Sequence, residues 1–208
     1  MKFYHVGGPA PLYTNTFVVI SDAGHAAIID PAADAESYNQ ILRENNATLT
    51  YIFCTHGHFD HVGSAQQLRT QWGATLYCEK CDLRGNQLYP LTESDSGYPE
   101  GVPIQLDELS FTAWHTPGHT PGGVCILCGR LFFTGDTLFA GGAGRTDLEG
   151  GSYTALLASG CKLMQLPIPE DAVVLPGHEG TSTYGEEMKS NYFISMCRSD
   201  GSLDEDFY

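Results

Sequence analysis

Four apolar stretches of this chain each stop at a turn, and histidine or aspartate side chains follow. The densest case comes after residues 51–54, where residues 55–61 read Thr-His-Gly-His-Phe-Asp-His. His119, Asp136 and His178 each follow a later apolar stretch that ends in a turn containing Pro or Gly. Strands that end in this way place such side chains in exposed loops, where catalytic residues of layered α/β proteins are commonly found. Four repeats of one arrangement favour a joint metal site over four unrelated loops.

The side chains in these loops are typical metal ligands. Imidazole nitrogen and carboxylate oxygen together suit Zn²⁺, Fe²⁺ or Mn²⁺. His56, His58, Asp60 and His61 lie within six residues, a density that rarely arises in an ordinary histidine-rich loop without a metal. The later positions are weaker when taken singly, because a histidine beside Pro-Gly is commonly a surface residue and Asp136 alone could be a helix N-cap.

These motifs resemble those of the metallo-β-lactamase superfamily. The resemblance spans residues 55–178, and it rests on four segments: His56-x-His58-x-Asp60-His61, Thr-Pro-Gly-His-Thr at 116–120, Thr-Gly-Asp-Thr at 134–137 and Pro-Gly-His at 176–178. It implies that residues 1–208 form a single domain with the α/β fold of that superfamily, a four-layer αββα sandwich.

The resemblance also implies two divalent metal ions, with zinc the expected metal and iron or manganese the alternatives. Charge supports this, because two such cations carry four positive charges and two aspartates with a bridging hydroxide would supply three negative ones. One ion would be held by His56, His58 and His119, the second by Asp60, His61 and His178, and Asp136 would bridge the two.

The branch that the chain resembles most is the small glyoxalase-II-like hydrolases, because Gly-Asp-Thr-Leu-Phe at 135–139 runs on into Gly-Arg-Thr-Asp at 144–147. This implies cleavage of a thioester or related ester of a small acyl-thiol substrate by metal-bound hydroxide, which forms near neutral pH on such metals. Asp60 would bind metal and orient the nucleophile. Arg145 is a candidate for binding an anionic substrate group, and the structural alternative, weighted at least as heavily, is an ion pair with Asp147 or another acid that fixes the loop.

Two other functions stay open at this point. Persulfide dioxygenases resemble the chain in the same 144–147 segment and would use one iron held by His56, His119 and Asp136. A non-catalytic metal-binding protein is less favoured, because purely structural metal sites are usually closed. Only thirty residues follow His178, too few for the C-terminal helical domain of full-length glyoxalase II, so tight recognition of glutathione is not expected.

Composition limits the partners and the location. The net charge of −15, with no cluster of Lys or Arg, predicts that nucleic acid is not a partner. No apolar segment approaches the length of a membrane span, so we expect a cytoplasmic protein without a membrane partner. The seven cysteines are predicted to be buried thiols rather than disulfides, and a four-cysteine site is the minority alternative. The oligomeric state is left open.

Apolar periodicity and turn residues predict the following elements. Residues 14–20 and 26–30 should form a hairpin, and residues 85–103 a variable loop. The acidic tail at 200–208 should be frayed. Helices are expected at 33–45, 62–72 (capped by Asp60), 153–166 and 185–196, and further strands at 50–55, 74–78, 109–114, 123–127, 131–134 and 172–175.

Overall fold

The structure, a computed structural model, describes residues 1–197. The first half holds five strands and two helices, in the order β1 (Lys2–Gly7), β2 (Asn15–Ile20), β3 (His25–Ile29), α1 (Ala35–Glu44), β4 (Thr48–Phe53), α2 (Ala65–Trp72) and β5 (Thr75–Tyr77). The second half holds β6 (Pro103–Leu106), β7 (Leu109–His115), β8 (Val124–Cys128), β9 (Leu131–Gly135), α3 (Tyr153–Leu163), β10 (Val173–Pro176), β11 (Ser182–Thr183) and α4 (Tyr184–Ser190). Short 3₁₀ turns cover Lys80–Asp82 and Ile194–Met196.

The strands form two mixed sheets. The first sheet has the order β1-β2-β3-β4-β5, with β3, β4 and β5 parallel to one another. The second has the order β11-β10-β9-β8-β7-β6, in which only β9 and β10 are parallel among the described strands. Six of the seven ligand-type side chains follow the carboxyl ends of β4, β9 and β10, and His119 lies between β7 and β8.

The two sheets pack face to face and a pair of helices covers each outer face. In β2, Phe17 and Val19 point into a core shared with Phe111 and Phe133 of the second sheet. Val18 and Ile20 point the other way, into a core with α1 and α2. A third core lies between the second sheet and α3 and α4. Because successive strand residues face opposite sides, strands buried on both faces carry the long apolar runs seen in the sequence. The predicted αββα sandwich is confirmed.

Several predicted boundaries are wrong in detail. The helix expected from residue 62 with Asp60 as its cap begins at Ala65 after Ser64, and Asp60 instead accepts a hydrogen bond from Thr14. The helix expected at 185–196 ends at Ser190, and a separate 3₁₀ turn follows. Strands β1, β6 and β11 were not predicted, because β1 and β6 are sheet edges with exposed alternate residues and β11 has only two residues.

The cysteine prediction is wrong for one pair. Cys161 in α3 and Cys197 form a disulfide, although the sequence favoured free thiols throughout. The two are 36 residues apart in sequence, and the packing of the 3₁₀ turn against α3 brings their Cα atoms within 5.2 Å. Cys54, Cys78, Cys125 and Cys128 are free and buried, as expected, and Cys81 is free and exposed.

The remaining predictions concern the loop at 85–103, the acidic tail and membrane-spanning segments. Most of residues 85–103 has no helix or strand, in agreement with the predicted loop, which the strand β6 follows. The acidic tail at 200–208 lies outside the described residues. None of the helices found in residues 1–197 is both long and apolar enough to cross a lipid bilayer.

Candidate metal centre

Seven ligand-type side chains from both sheets converge at one end of the sandwich. Four of them lie in the loop after β4 and one lies between β7 and β8, while Asp136 follows β9 directly and His178 lies two residues after the end of β10. Main-chain hydrogen bonds lock these segments together across the sheets, from Val124 N to Thr55 O at 2.8 Å and from Asn15 N to Gly177 O at 2.6 Å. All of the metal ligands predicted from the sequence are present in the cluster, namely His56, His58, Asp60, His61, His119, Asp136 and His178.

The donor atoms fall into three overlapping groups, each within 4.8 Å. One group is His56, His58 and His119, and another is Asp60, His61 and His178. These are the two triads expected for the first and second ions. The third group, which joins Asp136 to one member of each triad, consists of His56, His61 and Asp136.

The Asp136 carboxylate occupies the middle of the cluster. Its Oδ1 lies 3.4 Å from Nε2 of His61, and its Oδ2 lies 3.3 Å from Nε2 of His119 and 3.6 Å from Nε2 of His178. Oδ2 alone thus lies near one nitrogen of the first triad, on His119, and one nitrogen of the second, on His178. Gly177 makes room for this arrangement, because a Cβ at that position would lie 2.4 Å from Asp136 Oδ1 and 2.4 Å from the His61 ring.

Buried polar atoms at the centre lack hydrogen-bond partners. Among the described residues these include Nε2 of His56, Nε2 of His61 and Oδ1 of Asp136. Buried polar atoms are nearly always paired, so a concentration of unpaired ones at a single point needs an explanation. All three are potential ligand atoms, His61 Nε2 once its ring is neutral, and they lie at the centre of the cluster, as a bound cation requires. The donor set therefore fits divalent metal ions.

The far sides of the histidine rings are anchored to oxygen acceptors. His61 Nδ1 lies 3.0 Å from Asp30 Oδ2, His119 Nδ1 lies 2.7 Å from Arg145 O, and His178 Nδ1 lies 3.2 Å from Leu12 O. A carbonyl or carboxylate oxygen can only accept, so the proton is assigned to Nδ1 and the lone pair to Nε2. This fixes three rings in the tautomer that turns Nε2 toward the centre.

Electrostatics keep part of the cluster neutral. Burial, followed by the positive charge of neighbouring histidines, holds the pKa of His56 well below its ordinary value and lowers the pKa of His58 to about 3. Burial alone would lower the pKa of His61, but the carboxylates of Asp136 and Asp30 outweigh it and raise that pKa to about 9. Burial opposes ionisation of Asp60, yet hydrogen bonding to His178 and the charge of His61 prevail and hold the Asp60 pKa well below its usual range. Without a metal, His56 and His58 are therefore neutral and Asp60 is charged, the forms that bind metals, whereas His61 would have to release a proton when an ion binds.

A cavity of about 550 Å³ opens directly onto the cluster. His58, Asp60, His119, Asp136 and His178 form its floor. Its walls are largely apolar, contributed by Leu12, Phe59, Leu88, Phe139, Ala143 and Leu148. A cavity of this size with an apolar wall and a polar floor is typical of a site for a small molecule.

Arg145 lines the same cavity, as its sequence position suggested, but its guanidinium already has a partner. Nε and one terminal nitrogen each donate to Asp147 at 2.6 Å, in a bidentate pair between side chains that are 63% and 67% exposed. The structural alternative, an ion pair with Asp147, is therefore present. The backbone oxygen of Arg145 accepts a hydrogen bond from His119 Nδ1 and so orients that ring, a role that the sequence did not indicate.

With this geometry established, comparison with known proteins identifies the family. The family model described as the metallo-beta-lactamase superfamily matches residues 9–85 and 90–178. The chain belongs to this superfamily. Among curated proteins, hydroxyacylglutathione hydrolase GloC of Haemophilus influenzae is 36% identical over 197 residues, which cover 87% of this chain and 92% of GloC.

Two solved structures of similar size share the superfamily fold. ETHE1 from Myxococcus xanthus has a TM-score of 0.82 at 28% identity, covering 98% of this chain and 88% of that chain. TTHA1623, solved in a di-iron-bound form, has a TM-score of 0.76 at 30% identity, covering 91% of this chain and 99% of that chain. The chain is thus a metallo-β-lactamase superfamily protein with glyoxalase-II-like relatives.

Two buried carboxylates that support the superfamily motifs escaped the sequence analysis. Asp30 accepts hydrogen bonds from the Thr55 main chain and hydroxyl, each at 2.6 Å, as well as facing His61. It follows an apolar strand and precedes a proline, so the signal that predicted the seven ligands could also have found Asp30. Asp82 accepts from Gly57 N at 2.9 Å, Thr120 Oγ1 at 2.8 Å and Gly122 N at 3.0 Å, and so joins the two ligand loops. Nothing in its local sequence indicates this role.

Proposed function

We propose that this protein is a metal-dependent hydrolase that cleaves thioesters, or related esters, of small acyl-thiol compounds. The observation that carries the proposal is the cluster of two ligand triads joined by Asp136 at the floor of an apolar cavity. A cavity with a floor of histidine and aspartate side chains and with apolar walls suits a substrate in which a reactive carbonyl is attached to an acyl chain. The similarity to GloC, a hydroxyacylglutathione hydrolase by name, supports the thioester class.

The seven clustered side chains would hold two divalent ions. We assign the first to His56, His58 and His119, the second to Asp60, His61 and His178, and place Asp136 between them. When bound, the ions would lower the pKa of water to about 7 and polarise the substrate carbonyl. Zinc is the expected metal from the mixed nitrogen and oxygen donors, while the di-iron form of TTHA1623 supports iron, and manganese is the third choice.

Asp60 is the residue that we expect to orient the attacking water. Its Oδ2 accepts from Thr14 Oγ1 at 3.0 Å and lies 3.3 Å from His178 Nε2, so the carboxylate is held in one position. The same carboxylate lines the cavity, and its low pKa keeps it charged and able to accept a hydrogen bond from water. A thiolate leaves readily, so cleavage needs no further protein acid.

The walls of the cavity would position the substrate. Leu12 and Phe59 are 44% and 48% exposed, and they present apolar surface at its mouth. Phe139 lies deeper, with its ring 6.3 Å from the His178 ring. Such walls exclude water from the acyl chain and leave the carbonyl at the polar floor. Arg145 is proposed as a contact for an anionic group on the thiol carrier, for which its pair with Asp147 would have to open.

The proposal is tested by assaying metal-loaded protein on a panel of acyl-thiols that includes S-lactoylglutathione and neutral N-acetylcysteamine thioesters. Asp60→Ala should lower kcat by about 100-fold or more, because it removes the group that orients water. Asp171→Ala, which removes an exposed carboxylate paired with Arg130, is the matched control and should leave kcat unchanged. Intact thioesters after incubation with the zinc, iron and manganese forms would contradict the proposal.

A second candidate is thiol-dependent persulfide dioxygenation. His56 shares one donor group with His119 and another with Asp136, and Asp136 Oδ2 lies 3.3 Å from His119 Nε2. Two imidazoles and one carboxylate are the donor set typical of non-haem iron oxygenases. The similarity to ETHE1 fits this alternative. Oxygen uptake by the iron form with glutathione persulfide, in a preparation that leaves thioesters intact, would move this function into first place.

The partner and location follow from the same proposal. We expect a small-molecule substrate and no nucleic-acid partner, because a chain with net charge −15 repels phosphate backbones. A cytoplasmic location fits a small acyl-thiol substrate and remains a prediction, to be tested by fractionation of cells that express the protein.

A further inference from the structure

A buried polar pair behind the cavity holds one of its walls in place. Glu187 lies in α4 and Asn191 directly follows that helix, and they are 4% and 1% exposed. The carboxylate oxygen Oε2 of Glu187 accepts from Asn191 Nδ2 at 2.6 Å and from the main-chain nitrogen of Gly141 at 2.8 Å. A buried charged carboxylate requires such partners, so both side chains are committed to this arrangement.

The asparagine amide reaches the same turn from a second direction. Its Nδ2 also lies 3.0 Å from both Phe139 O and Gly142 O, so the two amide hydrogens are shared among these carbonyls and Glu187. Its Oδ1 accepts from Phe193 N at 2.9 Å, which fixes the orientation of the amide. The turn at 139–142 is thus bound at three main-chain atoms by two side chains that lie some fifty residues further along the chain.

The turn has little means of fixing itself. It reads Phe-Ala-Gly-Gly, and Gly141 has a φ of +75°, which favours glycine. Its only internal support is the main-chain pairing of Phe139 with Gly142. Glycine-rich segments lose much conformational freedom on ordering, so external hydrogen bonds are needed to hold this one in a single conformation.

The conformation of this turn matters to the cavity. Phe139 and Ala143 line the cavity wall, and Arg145 follows with the carbonyl that accepts from Nδ1 of His119. Displacement of the turn would move the Phe139 ring away from His178 and widen the cavity. Ala143 and Gly144 separate the turn from Arg145. The same displacement would therefore affect the Arg145 carbonyl, which orients His119, only indirectly.

We infer that Glu187 and Asn191 are positioning residues that set the depth of the cavity through Phe139, and thereby the length of acyl group that the site accepts. Neither side chain lines the cavity. Loss of either should therefore change acyl-group selectivity and KM more than kcat, because Asp60 and the histidine cluster stay in place. The kinetic part of this inference rests on the proposed thioesterase function, whereas the structural part does not.

The first experiment measures hydrogen exchange of the peptide covering residues 138–146. Asn191→Ala should speed exchange at Gly141 and Gly142 by about tenfold or more, because the amide that donates to Phe139 O and Gly142 O is lost and only Glu187 still holds the turn from outside. Tyr184→Phe is the matched control: it removes a buried hydrogen bond to Leu163 O at 2.6 Å from the same helix, and that hydroxyl is not among the groups that hold the turn. Exchange in this peptide that is unchanged in Asn191→Ala, or raised equally in Tyr184→Phe, would overturn the inference.

The second experiment compares kcat/KM for acetyl and hexanoyl thioesters of N-acetylcysteamine. Asn191→Ala should change the ratio of the two values by about fivefold or more through KM, while Tyr184→Phe leaves the ratio at its wild-type value. An unchanged ratio in Asn191→Ala would overturn the specificity role. If the wild type cleaves neither thioester, the proposed function fails, and the exchange measurement still decides whether the pair holds the turn.

Glu187→Gln gives an independent variant should Asn191→Ala not fold. It keeps one acceptor oxygen but removes the charge that strengthens both hydrogen bonds. Exchange at 138–146 should rise by a smaller factor than in Asn191→Ala. Glu186→Gln, which alters only the exposed capping box with Thr183, should leave that exchange unchanged, and a rise equal to that in Glu187→Gln would count against the pair.

Discussion

Oδ2 of Asp30 lies 3.0 Å from Nδ1 of His61, and both side chains are buried. This contact orients His61, and the same carboxylate holds Thr55 beside His56. In Asp30→Asn the side-chain NH₂, itself a donor, would face a donor group of His61 or Thr55. The His61 ring should therefore lose its fixed tautomer. We expect metal affinity to fall by about 10–100-fold, measured by metal content after dialysis against a weak chelator.

Asp34→Asn is the control for this change. Asp34 is an exposed N-cap of α1, where asparagine serves equally well, so metal content and melting temperature should match those of the wild type. Wild-type metal content in Asp30→Asn would contradict the role assigned to its contact with His61.

Replacement of His119 should separate the two triads. His119→Ala removes a donor from the group with His56 and His58 but leaves the group with His178 intact. We therefore expect loss of about one of two metal equivalents by elemental analysis. His25→Ala, which disrupts only an exposed pair with Asp107, should retain both. Equal depletion of both ions in His119→Ala would count against the division into triads.

Removal of all metal should destabilise the protein. Five histidines and two carboxylates converge with unpaired atoms at their centre, and a ligand that binds only the folded state stabilises it by mass action, by about 2.7 kcal/mol at a hundredfold excess over Kd. We expect the melting temperature to fall on treatment with a strong chelator and to recover on addition of Zn²⁺, Mn²⁺ or Fe²⁺. Melting that is insensitive to both treatments would argue against metal binding.

Arg145→Ala tests the two roles of that residue. If the guanidinium contacts substrate, KM for thioesters of anionic carriers should rise several-fold while KM for neutral carriers stays the same. Arg130→Ala removes a similar exposed pair, with Asp171, away from the cavity and should leave both KM values unchanged. A lower melting temperature in Arg145→Ala with unaltered kinetics would assign the residue to the ion pair with Asp147 alone.

The Cys161–Cys197 disulfide should add measurable stability. It closes a segment of 36 residues, for which the chain-entropy model gives stabilisation on the order of 3–4 kcal/mol. Reductant should therefore lower the melting temperature of the wild type but not that of the Cys161→Ala, Cys197→Ala double variant. Alkylation of unreduced, denatured protein should modify five cysteines, and modification of all seven would show that the bond is absent.

Much of the site could be predicted because its signals are local. A histidine or aspartate after an apolar strand is visible within a few residues, and all seven such side chains meet in the structure. Asp82 could not be found in this way. It lies in a 3₁₀ turn and acts by accepting from Gly57 and Gly122, two partners that only the fold brings within reach.

Element boundaries failed where tertiary contacts override local preference. The chain between β4 and α2 stays irregular because residues 55–61 must turn their side chains to the centre, and Ser64 N is bound by Pro31 O. The last helix stops at Ser190 because the Asn191 side chain is required by the turn at 139–142. The disulfide was missed for a related reason, since sequence spacing says nothing about which cysteines pack together.

The two halves of the donor set lie on different sheets, and this has a consequence for folding order. His56 and His61 follow β4, whereas Asp136 and His178 follow β9 and β10. Neither sheet alone contains a complete centre, so tight metal uptake must wait until the long-range docking of the sheets is nearly finished. Once bound, an ion opposes separation of the sheets with its full binding free energy. Metal binding would then be a late step of folding, and it would make separation of the two docked sheets slow.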